Sequence, residues 1–400
     1  MSTLRPLQEG TLASPADSLT RVSRPSGRVD SAPGRATVAR LLASAGVELD
    51  GNRPSDPRVH DPSVYPRWLS EGALALGETY TDGAWDCEAL DDMLARLLGA
   101  GLDRTVIGWS ERWDALRARL LNPQAGRRAL AVGERHYDLG NDLYRAMLGK
   151  RLIYSCAYWR DATDLDAAQV AKLDLIARKL QLAPGMRVLD IGCGWGEALR
   201  YFAEHFGVNG VGLTISREQA AFARDLCHGL PIEIRVQDYR DVRGEFDRVF
   251  SVGMFEHVGV RNYRAYFETV HRCLPRHGLS LLHTIGTRLS TDRTDPWIAR
   301  YIFPNSMLPS AAQIAQASEG LFVLEDCHNF GADYDRTLRA WRDNIERAWD
   351  DLPARYDRRF RRMWRYYLHA SMGAFRSRQA QLWQFVLSSD GVPGGYVSAR

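Results

Sequence analysis

The sequence lacks an apolar run long enough to span a bilayer, and it lacks the hydrophobic stretch of a secretion signal. It has no Cys-x-x-Cys pair, and its six cysteines are scattered, which argues against a zinc site or a disulfide framework. With a formal net charge of only +3 over 400 residues, it has no overall field that would require nucleic acid. We therefore expect a cytoplasmic protein without a metal site or a nucleic-acid partner, whose membrane contacts are peripheral.

Composition divides the chain into four segments. Residues 1–34 are rich in Ser, Pro, Gly and Arg without an apolar period, which predicts a disordered tail. Short helical patterns broken by Gly and Pro predict a small helical domain over residues 35–118. Residues 119–133 contain a basic, turn-forming stretch and are predicted to form a linker. Residues 134–400 then make up a larger second domain.

Strand and helix patterns alternate in the second domain. Seven β-type runs are predicted as strands: 187–191, 210–214, 232–237, 246–252, 279–285, 322–325 and 382–387. This alternation predicts an α/β fold with a doubly wound, seven-stranded, Rossmann-like sheet of the methyltransferase kind. Ligands of such sheets bind beyond the carboxyl ends of the strands, so the residues that follow each strand are the candidate site.

A glycine-rich turn follows the first of these strands. Gly192, Gly194 and Gly196 alternate with other residues and lead into an amphipathic helix. Glycines let backbone N–H groups approach a ligand, and the helix directs its positive end there. The G-x-G-x-G spacing differs from the dinucleotide pattern and favours S-adenosylmethionine, with NAD or a purely structural turn as alternatives. The same segment carries the further candidates Asp190, Cys193 and Trp195.

The next two strands end in further cofactor candidates. No acid ends the second strand, so Thr214, Ile215 and Gln219 are candidates for binding ribose hydroxyls; alternatively, Ser216 simply caps the next helix. The third strand ends in Asp238 and Tyr239, an acid for an adenine amine and a ring for stacking, although a solvated turn has the same composition.

Candidate catalytic residues follow the later strands. Glu256 and His257 are adjacent, and we favour Glu256 as the residue that enters the site. His283 lies on an otherwise apolar strand, where a lone histidine is often a core residue, but this strand ends at the same edge. Cys156 lies in an aromatic segment and is equally consistent with a small buried apolar residue. Residues 356–367 form a basic amphipathic pattern that predicts either an ordinary packed helix or a surface for phosphates.

These motifs resemble those of the cyclopropane-fatty-acyl-phospholipid synthase family of S-adenosylmethionine-dependent methyltransferases, over nearly the whole chain. The resemblance rests on the Gly192 turn and on seven further blocks in the family's order: HYDLGNDLY at 136–144, YSCAYW at 154–159, GMFEHVG at 253–259, LHTIG at 282–286, WIARYIFPN at 297–305, HNFGADY at 328–334 and GAFR at 373–376.

The resemblance implies that the protein adds a methylene across cis double bonds of phospholipid acyl chains. It implies a bound bicarbonate that takes the surplus proton, and a catalytic set of Cys156, Gly253, Glu256, His283 and Tyr334. It also implies that Tyr154 and Ser155 bind S-adenosylmethionine together with the candidates above. The family's members are typically homodimers that engage phospholipid surfaces, so we expect a homodimer transiently associated with the inner face of the membrane.

Two positions depart from the family pattern. Glu197 replaces a glycine after Gly196, and we expect its side chain to point to solvent from the first helical turn. Ser371 replaces a cysteine sometimes considered catalytic, which implies that no thiol nucleophile is needed there. Two alternative functions share the same motifs: a lipid C-methyltransferase that gives methyl-branched or hydroxylated chains, and an inert methyltransferase-like module that binds membranes.

Overall fold

A computed structural model of the chain describes residues 32–102, 140–291 and 294–400. The predicted tail therefore lies outside the described residues except for positions 32–34. The predicted linker over 119–133 lies wholly outside them, as do residues 103–118 of the predicted helical domain. The division into four segments stays a prediction.

The amino-terminal part of the described chain is helical, as the sequence predicts. It contains four helices and one short antiparallel ladder: α1 (Arg35–Ser44), β1 (Arg58–Val59), α2 (Val64–Glu71), α3 (Ala73–Thr81), β2 (Trp85–Asp86) and α4 (Leu90–Gly99). Two-residue strands carry no detectable periodicity, so the sequence analysis did not find the ladder.

A seven-stranded sheet forms the centre of the rest of the molecule, which confirms the predicted α/β fold. Its strands are β3 (Arg187–Ile191), β4 (Asn209–Thr214), β5 (Ile232–Val236), β6 (Arg248–Val252), β7 (Leu279–Thr287), β8 (Val323–Asn329) and β9 (Ala380–Ser388). Their order across the sheet is β5-β4-β3-β6-β7-β9-β8. The pairs among the first five of these are parallel, whereas β9 runs antiparallel to both β7 and β8.

Helices cover both faces of this sheet. They are α5 (Asn141–Leu148), α6 (Leu165–Lys179), α7 (Glu197–Phe206), α8 (Arg217–Leu226), α9 (Tyr263–Cys273), α10 (Pro296–Tyr301), α11 (Ala311–Ser318), α12 (Ala332–Ala348) and α13 (Arg358–Arg376). Two separate hydrophobic clusters lie on the two faces; Leu189 of β3 belongs to one and Val188 to the other. Successive strand residues point to opposite faces, so a strand covered on both sides is mostly apolar.

The amino-terminal helices share a third hydrophobic cluster with helices that cover the sheet. Trp68 and Trp85 belong to the same buried cluster as Trp341 and Trp364. Helix α13 packs on α4 so closely that a Cβ atom at Gly373 would lie 2.9 Å from the backbone nitrogen of Ala95. The two regions are thus joined by continuous packing.

The basic amphipathic pattern of residues 356–367 lies on helix α13 from residue 358 onwards. Arg362 is largely buried and donates to Asp86 at 2.7 Å and to the backbone carbonyl of Tyr80 at 2.7 Å. Arg359 binds Asp82, and Arg365 binds Glu346. Most of these arginines are thus neutralised within the chain, which favours the packed-helix alternative over a surface for phosphates.

Candidate functional site

A cavity lies beyond the carboxyl ends of β3, β4 and β6, where the doubly wound topology predicts a ligand. Its walls carry most of the residues predicted to bind a cofactor: Tyr154, Ser155, Asp190, Gly192, Cys193, Gly194, Trp195, Thr214, Ile215, Gln219, Asp238 and Tyr239. Gly253 lines it as well. The structure therefore brings these residues, from five separate segments, to one place.

The glycine turn has the backbone shape that glycine favours. Gly192 has a φ of 95°, and a Cβ atom there would lie 2.8 Å from the Cβ atom of Met254, which also lines the cavity. Gly196 does not line the cavity: a Cβ atom there would press on Ala223 and Cys227 of α8. Gly192 thus keeps the cavity open, whereas Gly196 lets α7 and α8 pack closely.

The expectation that Glu197 points to solvent is wrong. Its side chain is buried and accepts hydrogen bonds from Arg151 at 2.5 Å and from Arg200 at 2.8 and 2.9 Å. Two guanidinium groups offset the cost of burying the carboxylate, which a helix-terminus argument alone does not anticipate. Glu197 also contributes to the cavity wall, so the departure from the family's glycine lies at the site itself.

A buried lysine on α6 faces the cavity and was missed by the sequence analysis. Lys172 donates to the Ser155 hydroxyl at 2.9 Å, and burial lowers its pKa to about 7. Asp190 is also buried, and burial raises its pKa well above the usual range although the charge of Lys172 opposes this. Its Oδ1 atom has no partner within the described part of the chain. The sequence does contain a signal for this residue: Lys172 is four residues from both Ala168 and Ile176 and so lies on the same buried face of α6.

The residues after β4 form a compact hydrogen-bonded group. Thr214 donates to the Gln219 side chain at 3.0 Å, which leaves the amide nitrogen of Gln219 free to be presented to a ligand oxygen. Ser216 caps α8 by accepting from the Gln219 backbone, so the structural reading of this residue is confirmed. The cap fixes the first turn of α8 and with it the position of Gln219.

Asp238 and Tyr239 line the cavity on its other side. Asp238 is paired with Arg240 at 2.9 and 2.5 Å, and although burial acts to raise the pKa of Asp238, the hydrogen bonds from Arg240 hold it below the usual value. The Tyr239 ring packs edge-on against Tyr266 with centroids 5.7 Å apart. The pair thus presents an ionised carboxylate and a fixed aromatic ring.

The catalytic candidates other than Gly253 lie behind this cavity. Gly253 donates its backbone N–H to the carbonyl of His283 at 3.0 Å, and Glu256 accepts from the backbone N–H of Ile285 at 2.7 Å. Cys156 lies 4.0 Å from the Thr337 hydroxyl, one helical turn after Tyr334 on α12. Burial, together with nearby groups that include Cys156 and Glu256, raises the pKa of Tyr334 well above its usual value. Strands β6 and β7 and helix α12 thus bring the set together.

Two buried polar atoms in this group lack partners among the residues the structure describes. They are Oε2 of Glu256 and Nε2 of His283. Burial raises the pKa of Glu256 to about 7, so the side chain is largely protonated below that pH and presents an O–H donor. Burial lowers the pKa of His283 well below its usual value, so its ring is neutral. A protonated Glu256 suits a small anion better than an ionised carboxylate would, and a neutral imidazole still donates from one ring nitrogen.

Other features of the site bear on a thiol nucleophile and on water. Burial raises the pKa of Cys156 well above the usual value, which keeps it a thiol. Ser371 lies half-buried on α13, away from the cavity wall.

The Tyr154 ring packs against Trp341 at 5.3 Å and Phe303 at 6.2 Å, so aromatic surface separates the site from water. His257 lines the cavity, and burial lowers its pKa to about 4.

These donors fit the ligands expected from the sequence. The cavity offers an unpartnered carboxyl at Asp190, a glycine turn that a Cβ atom would fill, and an amide at Gln219, which suit the charged and ribose groups of S-adenosylmethionine. The group behind it offers unpaired buried donors for an oxyanion. No group of His, Cys, Asp or Glu that could hold a metal ion occurs, and no helix could cross a membrane, in residues 32–102, 140–291 and 294–400.

Comparison with known proteins identifies related sequences and structures. Residues 124–385 match the family model of mycolic acid cyclopropane synthetases. Cyclopropane-fatty-acyl-phospholipid synthase of Escherichia coli K12 is 52% identical over 363 residues, which cover 90% of this chain and 94% of that protein. Tuberculostearic acid methyltransferase of Mycobacterium tuberculosis is 32% identical over 383 residues, which cover 88% of each chain.

Solved structures agree with these sequence relationships. A cyclopropane synthase of Mycobacterium tuberculosis matches with a TM-score of 0.61 and 31% identity, over 65% of this chain and 98% of that one. A mycolic acid cyclopropane synthase complexed with SAH matches with a TM-score of 0.58 and 32% identity, over 65% and 98%. Coclaurine N-methyltransferase, at 19% identity, shares the fold with a TM-score of 0.61 over 80% and 99%.

Proposed function

The chain belongs to the mycolic acid cyclopropane synthetase family, and from this membership we propose that it forms cyclopropane rings on the acyl chains of unsaturated phospholipids. It is an S-adenosylmethionine-dependent methyltransferase. The observation that carries the proposal is the pair of unpartnered buried atoms, Glu256 Oε2 and His283 Nε2, directly behind the cofactor cavity. Ring closure must remove a proton from the transferred methyl group, so it needs a proton acceptor held beside the methyl donor.

Each part of the site has a role in this reaction. When bound, S-adenosylmethionine supplies the methyl carbon that the alkene attacks, and bicarbonate supplies the base that takes a methyl proton as the ring closes. Glu256, in its protonated form, and His283 donate hydrogen bonds to the anion, with Tyr334 as a further donor. An ionised Glu256 would instead repel it. The aromatic surface around Tyr154 excludes water that would trap a carbocation and stabilises positive charge.

The cofactor is held by the cavity walls. Asp190, Thr214 and Gln219 accept from or donate to its polar groups, and Asp238 and Tyr239 lie where an adenine ring would be recognised. Lys172 fixes the Ser155 hydroxyl by donating a hydrogen bond to it. Gly192 and Gly194 let the backbone approach the ligand.

The test of this function uses purified full-length protein, S-adenosylmethionine and vesicles of a phospholipid with cis-octadecenoyl chains. We expect mass spectrometry to show one added methylene per alkene with loss of the double bond, and no change in trans or saturated lipids. Bicarbonate-free buffer should slow the reaction, and added bicarbonate should restore it. Unaltered cis lipids in the presence of bicarbonate would contradict the proposal.

A second candidate is a lipid C-methyltransferase that leaves methyl-branched or hydroxylated chains. The similarity to tuberculostearic acid methyltransferase favours it. The same product analysis separates the two, because a branched or hydroxylated chain has no ring protons at high field in its NMR spectrum. A third candidate, an inert module that binds membranes, predicts no ultraviolet crosslinking to labelled S-adenosylmethionine despite vesicle binding.

The lipid substrate implies where the enzyme works. Phospholipid acyl chains lie in bilayers, so we propose peripheral, transient association with the inner face of the membrane from the cytoplasm. Vesicle sedimentation with the cis lipid tests this. The homodimer expected from the family resemblance stays a prediction, which sedimentation velocity would check.

A further inference from the structure

A row of polar side chains crosses three strands beside the catalytic group. Strand β9 lies between β7 and β8, and Gln384 is directly opposite His283 on one side and His328 on the other. Residues directly opposite each other in antiparallel strands project from the same face of the sheet, with Cβ atoms about 5 Å apart. Gln384 is fully buried and His283 is 1% exposed. The catalytic motifs of the sequence did not include Gln384.

The contact between Gln384 and His283 selects one form of the imidazole. The amide nitrogen Nε2 of Gln384 lies 3.2 Å from Nδ1 of His283. In this orientation of the Gln384 amide, the nitrogen donates and Nδ1 accepts, which puts the hydrogen of the neutral ring on Nε2. That nitrogen is the buried, unpartnered atom of His283. Oε1 of Gln384 then has no partner among the described residues.

The surroundings of His283 keep the ring neutral and leave the amide as its polar neighbour. Burial, followed by the positive charges of Lys172 and Lys179, lowers the pKa of His283. The Phe330 ring packs edge-on against His283 at 5.8 Å and at a tilt against His328 at 5.0 Å. His328, the remaining titratable group of the row, also has a pKa lowered to about 4 by burial.

We propose that Gln384 is a positioning residue that holds His283 as its Nε2–H tautomer. His283 then donates from Nε2 to the anion that takes the proton during ring closure. The other tautomer would direct a lone pair at that anion and repel it. The role of the anion rests on the proposed function, whereas the tautomer itself is a property of the protein alone.

Two substitutions of Gln384 should change the position of the hydrogen on the His283 ring in different ways. In Gln384→Glu, a carboxylate of the same shape accepts from Nδ1–H, so the hydrogen moves to Nδ1 or the ring becomes charged. In Gln384→Met, a side chain of similar length leaves Nδ1 without a donor, and both tautomers become populated. Gln381→Glu is the matched control, because Gln381 lies on the same strand but binds Asn329 at the surface.

The experiment is long-range ¹H–¹⁵N NMR of full-length protein with ¹⁵N-labelled histidine, with the His283 signals identified by their loss in His283→Asn. We expect Nε2–H in the wild type and in Gln381→Glu, and Nδ1–H or imidazolium in Gln384→Glu. Product formation should fall at least tenfold in Gln384→Glu where the hydrogen moves to Nδ1, and in Gln384→Met by the fraction of rings that carry the hydrogen on Nδ1, while the KM for S-adenosylmethionine stays within twofold in both.

The experiment can refute the tautomer assignment and the proposed function independently of each other. A wild-type signal from Nδ1–H would overturn the inference without any variant having to fold. An unchanged tautomer in both Gln384 variants would overturn it as well. Wild-type protein that shows Nε2–H but forms no cyclopropane lipid would instead overturn the proposed function and leave the tautomer assignment standing.

Discussion

At the scale of single residues, the site is defined by buried polar atoms that the fold leaves without partners. Oδ1 of Asp190 faces the cofactor cavity, whereas Oε2 of Glu256 and Nε2 of His283 lie behind it. Leaving such an atom buried and unpaired costs about 1–3 kcal/mol each, so a ligand that satisfies them is bound tightly. These atoms separate the methyl-donor site from the proton-accepting site.

Substitutions at the second site should stop turnover and spare cofactor binding. In Glu256→Ala or His283→Ala, we expect product formation to fall at least a hundredfold, because each substitution removes a hydrogen-bond donor from the anion that takes the proton. The affinity for SAH, measured by calorimetry, should stay within about threefold because neither residue lines the cofactor cavity. Rates similar to wild type in both variants would contradict the assigned roles.

The raised pKa of Glu256 also predicts a pH dependence of stability. Its pKa is about 7 in the folded protein against an ordinary value of 4.5, so between these values only the folded state keeps the proton. The wild type should therefore lose stability relative to Glu256→Gln as the pH rises from 4.5 to 7, by up to about 3 kcal/mol. Urea unfolding of both proteins at pH 5 and pH 8 measures this difference, and a constant difference would contradict it.

Single residues also show where sequence reasoning stops. Glu256 and His283 were found because Glu256 follows an apolar strand and His283 stands out within one. Glu197 was placed wrongly and Lys172 was missed, because their partners Arg151 and Ser155 lie 46 and 17 residues away. Ion pairs and hydrogen bonds across such separations follow from packing, which a pattern along the chain does not contain.

At the scale of elements, the strands and the turns that follow them set the geometry of the site. The parallel strands were predicted to within two residues of their observed ends, because an apolar run that ends in a glycine turn is a strong local signal. The place of β9 between β7 and β8 was not predicted, because strand order depends on contacts between distant segments. The contact of Gln384 with His283 could therefore not be predicted from the sequence.

The turn between β3 and α7 should not tolerate a side chain at its first glycine. Gly192→Ala combines a positive φ with a contact on Met254, so we expect SAH affinity to fall at least tenfold and stability by about 1–3 kcal/mol. Gly185→Ala is the control: its φ is 83°, but a Cβ atom there meets no atom within 4 Å. It should lose similar stability and keep its SAH affinity in calorimetry.

The arginines of α13 should act mainly as structural residues. Arg362→Met removes hydrogen bonds to Asp86 and to the carbonyls of Tyr80 and Trp85, and we expect a loss of about 2 kcal/mol in urea unfolding. Arg358→Met, at the exposed first position of the helix, should change stability by less than about 0.5 kcal/mol. Vesicle binding that falls in Arg362→Met while its stability is unchanged would instead favour a surface for phosphates.

At the scale of the whole molecule, the helical region and the sheet behave as one body in the described residues. Their shared cluster is reinforced by ion pairs that cross between them: Arg376 binds Asp91 at 2.6 Å, and Arg300 binds Glu78 at 2.7 Å. Sequence patterns predicted both regions but not this common core, because each helix shows only that it has an apolar face.

The common core predicts cooperative unfolding. Tryptophan fluorescence reports on both regions because Trp68 and Trp364 belong to the same cluster, whereas SAH binding reports on the sheet alone. We expect both signals to change at the same urea concentration, because neither region keeps its core without the other. An early fluorescence transition that spares SAH binding would contradict a shared core.

The order of the strands has a consequence for biosynthesis. Strand β9 is the last strand in the described sequence but an inner strand of the sheet, and β8 pairs only with it. During translation, β8 therefore has no strand to pair with, and His283 has no contact with the Gln384 amide, until residues 380–388 have left the ribosome. A nascent chain stalled before Ala380 would carry every residue of the methyl-donor pocket but would lack the amide that fixes His283.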